Sequence, residues 1–284
     1  AGAIVVVSTE RASDHESSLM ASSDLTPLLR HKAHEEPSVF RPENLLREAR
    51  RQNEVERGSV PDVCLLDPDG DIVDHLRETG QAQPHPHWPG YHTTLYETVL
   101  EGRTIGVLDR AVGASFAVLV AEQLFAAGCE LLLSITSAGQ IVSQGEPPYF
   151  VLIEKALRDE GTSLHYRPPA SFSTLDPALH RTLRDAFGEV PVPVHPGSSW
   201  TTDAPYRETE TAIAAARNEG ILAVEMEAAA LYAFAEAREQ SVVCFAHVTN
   251  QMAVEEGDFE KGEADGVRDA LALVTAAVEA CEAV

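Results

Sequence analysis

Two glutamates open the apolar stretch AVEMEAAALYAFA at residues 223–235. A carboxylate in an apolar run costs free energy unless something binds it. Glu225 and Glu227 are therefore candidate ligand contacts. The plain alternative is an exposed helix start, where carboxylates favour the positive end of the helix dipole. Other residues able to do chemistry sit at strand-to-helix junctions, the usual ligand edge of an open α/β sheet. RAVGAS (residues 110–115) follows TIGVLD and offers Arg110 and Ser115. TSAG (residues 136–139) follows LLLSI and offers Thr136, Ser137 and Gly139. Asn250 and Gln251 follow CFAHVT. GSSWTTDAPYRETE (residues 197–210) combines hydroxyls with Trp200, Asp203 and Arg207. Each is ordinary turn or cap chemistry when taken alone. Together they fall along one edge of one sheet.

The elements that must position them follow from pattern. Residues up to about Pro37 are polar and read as a loosely ordered arm. RPENLLREARRQ (residues 41–52) reads as a helix with Pro42 in its first turn. VCLLDPDGDIV (residues 63–73) reads as strand, tight turn and strand, because Pro-Asp-Gly is strong turn chemistry. Residues 81–90 read as an irregular loop. Strands are expected at LYETVL and TIGVLD, then a helix stopped by Gly128. CELLLSIT is a continuous apolar strand of the kind buried in a parallel sheet. Residues 147–161 start with prolines and are expected to become helical. Helices are also expected at PALHRTLRDAFG, ETETAIAAARNEG, residues 223–240 and the closing GVRDALALVTAAVEACEAV. Asp258 to Glu263 reads as a solvated, salt-bridged loop. The alternation predicts an α/β fold: a single three-layer domain with a central mixed, largely parallel sheet flanked by helices. The boundaries expected are residues 1–60 for the arm and first helix, and 61–284 for the domain.

At AVEMEAAAL the chain resembles the nucleoside phosphorylase family, which includes uridine phosphorylase, the hexameric purine nucleoside phosphorylases and the adenosylhomocysteine-type nucleosidases. The resemblance runs from about Val63 to the C-terminus. It implies that Glu227 takes hydrogen bonds from the ribose 2′- and 3′-hydroxyls, that Met226 packs on the sugar, and that Glu225 stands in the same substrate-binding motif. RAVGAS falls where the family has a Gly-rich loop before a helix, with Arg110 and Ser115 as anion-binding candidates. LSITSAG falls where the family contacts ribose and the second reactant, which brings in Thr136, Ser137 and Gly139. GSSWTTDAP resembles the segment that carries a base-stacking aromatic, which points to Trp200, with Asp203 a catalytic candidate beside its alternative as a turn cap. HVTNQM resembles the base-side loop, with Asn250 as the group that assists the leaving base and Gln251 next to it. Cleaving an N-glycosidic bond builds positive charge on the ribose and negative charge on the base. A carboxylate on the sugar and a donor near the base answer those two demands.

Phosphorolysis in the family uses arginines for phosphate, and here the matching positions lack them. LLDPDGDIV offers Asp67, Asp69 and Asp71, the strand before TSAG has Ser134, and GYHTTLY has no arginine. An acidic loop repels phosphate. Three outcomes stay open: a phosphorylase with an anion site rebuilt on Arg110, a hydrolase using water, or a non-catalytic nucleoside-binding relative. The resemblance also implies a homo-oligomer without a cofactor, inorganic phosphate being the co-substrate if the reaction is phosphorolysis.

Composition narrows the partners. Over 284 residues, 21 Lys+Arg face 45 Asp+Glu, a formal net charge of -24. Such a surface argues against nucleic-acid backbones and anionic membranes. Cys64, Cys129, Cys244 and Cys281 are far apart and make no C-x-x-C pair, as expected of free thiols in a reducing cytoplasm. No apolar run reaches the length of a membrane span, and AGAIVVVSTE is too short for a secretory signal core. His85 and His87 lie in a Pro-rich loop without further ligands, so no metal site is expected.

Overall fold

The computed structural model describes residues 26–250 and 266–283. Gln251, the Asp258 to Glu263 loop and the arm before Thr26 lie outside the described residues, as does the side chain of Asn250. α1 (Pro42–Asn53) begins with Pro42 in its first turn and buries Leu46 and Ala49. β1 (Val63–Asp67) is buried along its length. The chain then turns at Pro68-Asp69-Gly70 into α2 (Asp71–Glu78), where the turn chemistry predicted a second strand. Ile72, Val73 and Leu76 are buried from this helix, a spacing that one helical face serves and a strand does not. The buried Asp67 carboxylate accepts from the N–H of Gly70 at 3.1 Å and of Val73 at 2.9 Å. It thereby satisfies donors that the first turn of α2 would leave open.

A short β2 (Ala82–Pro84) pairs with β3 (Leu95–Leu100) inside the stretch expected to be irregular. β3 continues as a hairpin into β4 (Arg103–Asp109). α3 (Ala114–Ala126) stops before Gly128, which takes φ +116. β5 (Leu131–Gln140) is the expected buried strand. β6 (Tyr149–Asp159) is one 11-residue strand where a helix was predicted. Its helix-favouring half, EKALRD, is held extended between β7 (Phe172–Thr174) and β8 (Val194–Thr202), so tertiary pairing overrides propensity. The short α4 (Ser163–Tyr166) lies between β6 and β7. α5 (Pro177–Leu183) precedes β8 and α6 (Glu210–Asn218) follows it. β9 (Ala223–Glu225), α7 (Ala228–Arg238), β10 (Ser241–Asn250) and α8 (Val267–Glu282) complete the chain.

The strands among the described residues join one mixed sheet. Parallel pairings link β4, β1, β5 and β10 in that order, and link β6, β8 and β9. Antiparallel pairings join β5 to β9 and β6 to β10, which closes β5, β10, β6, β8 and β9 into a ring. The mixed α/β domain expected from sequence is the one observed. Its consequence for the site is positional. β1, β4, β5 and β10 share one carboxyl end, and β9 delivers the start of α7 to the same end through its pairing with Gly139. The described part of the arm is tied to the body rather than loose. Lys32 Nζ meets His165 Nδ1 at 2.8 Å and His34 Nε2 meets the Leu164 carbonyl at 3.3 Å. Among the described residues, no helix is long and apolar enough to cross a membrane.

Candidate functional site

Glu225 and Glu227 flank the entry to α7 and are both buried, at 3% and 1% exposure. Their surroundings differ. Glu225 Oε1 accepts from Ser199 Oγ at 2.9 Å and from Thr201 Oγ1, and Oε2 accepts from the N–H of Glu227 and of Ala228, each at 2.7 Å. Thr201 Oγ1 in turn accepts from Ala229 N at 2.9 Å. Glu225 and Thr201 together cap α7. Each Glu225 oxygen already has two protein donors, so the structure uses this carboxylate to hold the helix. Burial raises its pKa, and these hydrogen bonds work against the rise.

Among the described residues, one backbone N–H anchors the Glu227 carboxylate. Its Oε1 accepts from Gly113 N at 2.7 Å, and its Oε2 is buried without a hydrogen-bond partner among the described residues. Gly113 caps α3 with φ +88 and ψ 149, a region open essentially to glycine alone. That backbone turns the Gly113 N–H toward Glu227. Burial pushes the Glu227 carboxyl up to about 8, and the charge of Glu225 adds to this. The Gly113 N–H and the neighbouring Thr136 hydroxyl pull the other way, and Asp69 contributes a further repulsion. An unpaired buried carboxylate oxygen is costly and is suited to a ligand that brings hydroxyl donors.

Beside it stands the acidic turn. Asp69 Oδ2 accepts from Ser137 N at 2.9 Å and from Ser137 Oγ. Asp67 is almost fully buried, and burial raises its pKa to about 7 against the two N–H groups it accepts from. Arg110, at φ +57, pairs with Asp74 and Asp109. A Cβ added at Gly70 would lie 2.9 Å from its Cζ, so the guanidinium rests on the same turn.

The remaining candidates separate. Met226, half-buried, lies between the two glutamates. Gly139 pairs with Val224 and Asn250 at the same strand ends. Trp200 is not a loop aromatic. It lies within β8 at 4% exposure. Ser199 and Thr201 on either side point to Glu225, so Trp200 points to the opposite face. There it packs with Ile141, Ile221 and Val224 and donates from Nε1 to Asp159 Oδ2 at 3.0 Å. Asp203 Oδ2 accepts from Gly161 N at 2.9 Å, tying the loops after β6 and β8 together. Ser115 is exposed and opens onto a separate groove of about 870 Å³ along α3, walled by Phe40, Leu119 and Tyr166. Sequence reasoning overlooked the Ser199–Thr201 pair as partners of Glu225. Its signal was present as two hydroxyls spaced by two on a strand. The Gly113 N–H had no side-chain signal at all.

The chain is a mixed α/β domain whose candidate site residues gather at shared strand ends around a buried carboxylate at a helix entry. The phosphorylase superfamily sequence model matches residues 62–279, and the chain belongs to that family. It is 24% identical over 186 residues to a guanosine phosphorylase of Halorubrum lacusprofundi, covering 64% of this chain and 75% of that one. Its fold resembles a uridine phosphorylase from Vibrio fischeri, solved with 6-hydroxy-1-naphthoic acid (TM-score 0.68, 20% identity, 82% of this chain and 99% of that chain). It also resembles a purine nucleoside phosphorylase from Toxoplasma gondii, solved with immucillin-H (TM-score 0.65, 16% identity, 78% and 91%). The sequence resemblance to nucleoside phosphorylases is thereby borne out.

Proposed function

We propose that this chain is a pentosyltransferase that cleaves the N-glycosidic bond of a nucleoside by phosphorolysis, giving free base and ribose 1-phosphate. The observation that carries the reading is Glu227, buried and anchored through Oε1, with Oε2 open to a hydroxyl donor. Ribose hydroxyls donating to that carboxylate would orient the sugar and favour the cationic character it gains as the bond to the base lengthens. Phosphate would attack the anomeric carbon, and the base would leave with the bonding pair. Family membership supports the same chemistry. Guanosine is the first substrate to test, because the curated relative is a guanosine phosphorylase. We further read the protein as a cytoplasmic homo-oligomer that needs no cofactor besides phosphate, with no nucleic-acid partner, on the strength of its free thiols, its family and its charge.

A second reading, hydrolysis, draws on the Asp69–Ser137 contact, which places a carboxylate on donors suited to an anion. The deciding experiment is turnover of guanosine, inosine, adenosine and uridine with and without inorganic phosphate. Phosphorolysis requires phosphate-dependent release of base with ribose 1-phosphate as product. Equal rates without phosphate would establish hydrolysis instead, and no turnover in either would leave a binding protein.

A further inference from the structure

We propose that Asp69 is an internal competitor for the anionic co-substrate and thereby sets the affinity of this site for phosphate. The inference rests on the phosphorolytic reading for its biological consequence, but its physical content is separate. Ser137 presents a backbone N–H and a hydroxyl that converge on a single oxygen, Asp69 Oδ2. Convergent backbone and hydroxyl donors form the type of cradle that holds phosphate oxygens. Ser137 directly follows Thr136, whose hydroxyl neighbours Glu227, so this cradle lies next to the group assigned to ribose.

The turn that carries Asp69 is not free to drift. Asp67 fastens it from below through Gly70 N and Val73 N. Arg110, the guanidinium resting on the turn, is itself paired with Asp74 and Asp109. An incoming phosphate therefore meets donors already satisfied by carboxylates. It must displace Asp69 from Ser137 or bind beside its negative charge, and both weaken binding. Asp69 is a specificity-determining residue in this scheme, since it decides how strongly the site admits an anion as opposed to water.

The test is direct titration of inorganic phosphate into wild type, D69N and the double variant D69N/S137A by calorimetry, with thermal melts alongside. Loss of the charge in D69N is expected to lower the phosphate Kd by about tenfold or more, and removal of the Ser137 hydroxyl is expected to reverse most of that gain. An unchanged or higher Kd in a folded D69N would overturn the proposal and leave Asp69 as a residue that positions Ser137. A gain that survives in the double variant would overturn the assignment of Ser137 as the contested donor. Should D69N not fold, D69S carries the same expectation, because its shorter hydroxyl removes the charge and the reach. Turnover separates the two readings. Wild type that lacks phosphorolysis while D69N gains phosphate binding sinks the functional reading alone. Wild type with phosphorolysis and no gain in D69N sinks this one alone.

Discussion

Glu225 and Glu227 are two residues apart and equally buried, yet Glu225 has protein donors on both oxygens while Glu227 Oε2 has none among the described residues. The pair divides one motif into a carboxylate that caps a helix and one that keeps a buried oxygen available. Glu225 locks the first turn of α7 to β8. That lock fixes the backbone from which Glu227 projects, and the Gly113 N–H fixes its other end.

This division has separable consequences. E227Q keeps an acceptor for Gly113 and removes a buried group that ionises near 8, so its Tm is expected to exceed that of wild type at a pH above that value. Its kcat/KM for nucleoside is expected to fall by about 10²–10³-fold, the scale of losing one preorganised electrostatic contact. E225A leaves the N–H groups of Glu227 and Ala228 and two hydroxyls without their acceptor, and is expected to cost about 2–4 kcal/mol in urea unfolding. If E225A proves as stable as wild type, the capping role is wrong.

The buried carboxyls give a pH dependence with a definite sign. Folding raises Glu227 to about 8 and Asp67 to about 7, whereas unfolded Glu and Asp titrate at about 4.3 and about 3.9. The folded state therefore holds more protons through this window, and stability falls as pH rises. The contribution is complete below the unfolded values and is lost as pH passes through 7 and 8. Tm measured from about pH 5 to about pH 9 should decline, and E227Q should flatten the upper part of the decline. The same ionisation should make kcat/KM rise with pH through about 8, because only the carboxylate accepts from two hydroxyls. A Tm that climbs across this window would contradict the burial assigned to both groups.

Part of this candidate site and most of the sheet are legible in the sequence. Glu227 stood out because a charge in an apolar run demands a partner, and β5 stood out because an unbroken apolar run demands burial on both faces. The errors share a cause. Residues 71–73 carry Ile-Val after a Pro-Asp-Gly turn and look like the start of a hairpin strand. The Asp67 carboxylate, accepting from Gly70 N and Val73 N, caps residues 71–78 as a helix that buries Ile72, Val73 and Leu76 on one face. Residues 154–159 carry helix formers and become strand because β7 and β8 pair with them. Trp200 is expected at the base from the segment GSSWTTDAP, but it alternates on β8 with Ser199 and Thr201, which donate to Glu225 and so turn the indole to the other face. Local chemistry does not encode which distant group a side chain will meet.

Gly113 offers a test of backbone geometry alone. A Cβ there meets nothing within 4 Å among the described residues, so G113A creates no clash with them. Its cost comes from φ +88 with ψ 149, a conformation worth about 1–3 kcal/mol of strain in any residue but glycine. Relief of that strain would swing the N–H away from Glu227. G113A is expected to lose stability in that range and to lose nucleoside turnover as well, while remaining folded. Full activity in a measurably destabilised G113A would show that the Gly113 bond does not position Glu227.

Trp200 separates a core role from a base-stacking one. Its indole fills the cluster formed with Ile141, Ile221 and Val224 and donates to Asp159. W200F keeps an aromatic ring but leaves Asp159 without its donor and the site underfilled. Unfolding free energy is expected to drop by about 1–3 kcal/mol. The nucleoside KM is expected to stay within about twofold of wild type, because the ring faces away from Glu225 and a residue without substrate contact removes no uniform binding. Phenylalanine would stack on a base nearly as well as tryptophan, so W200A is the sharper companion for the kinetic question. A rise of about tenfold or more in KM for W200A, with intact fold at the assay temperature, would place the indole at the base after all.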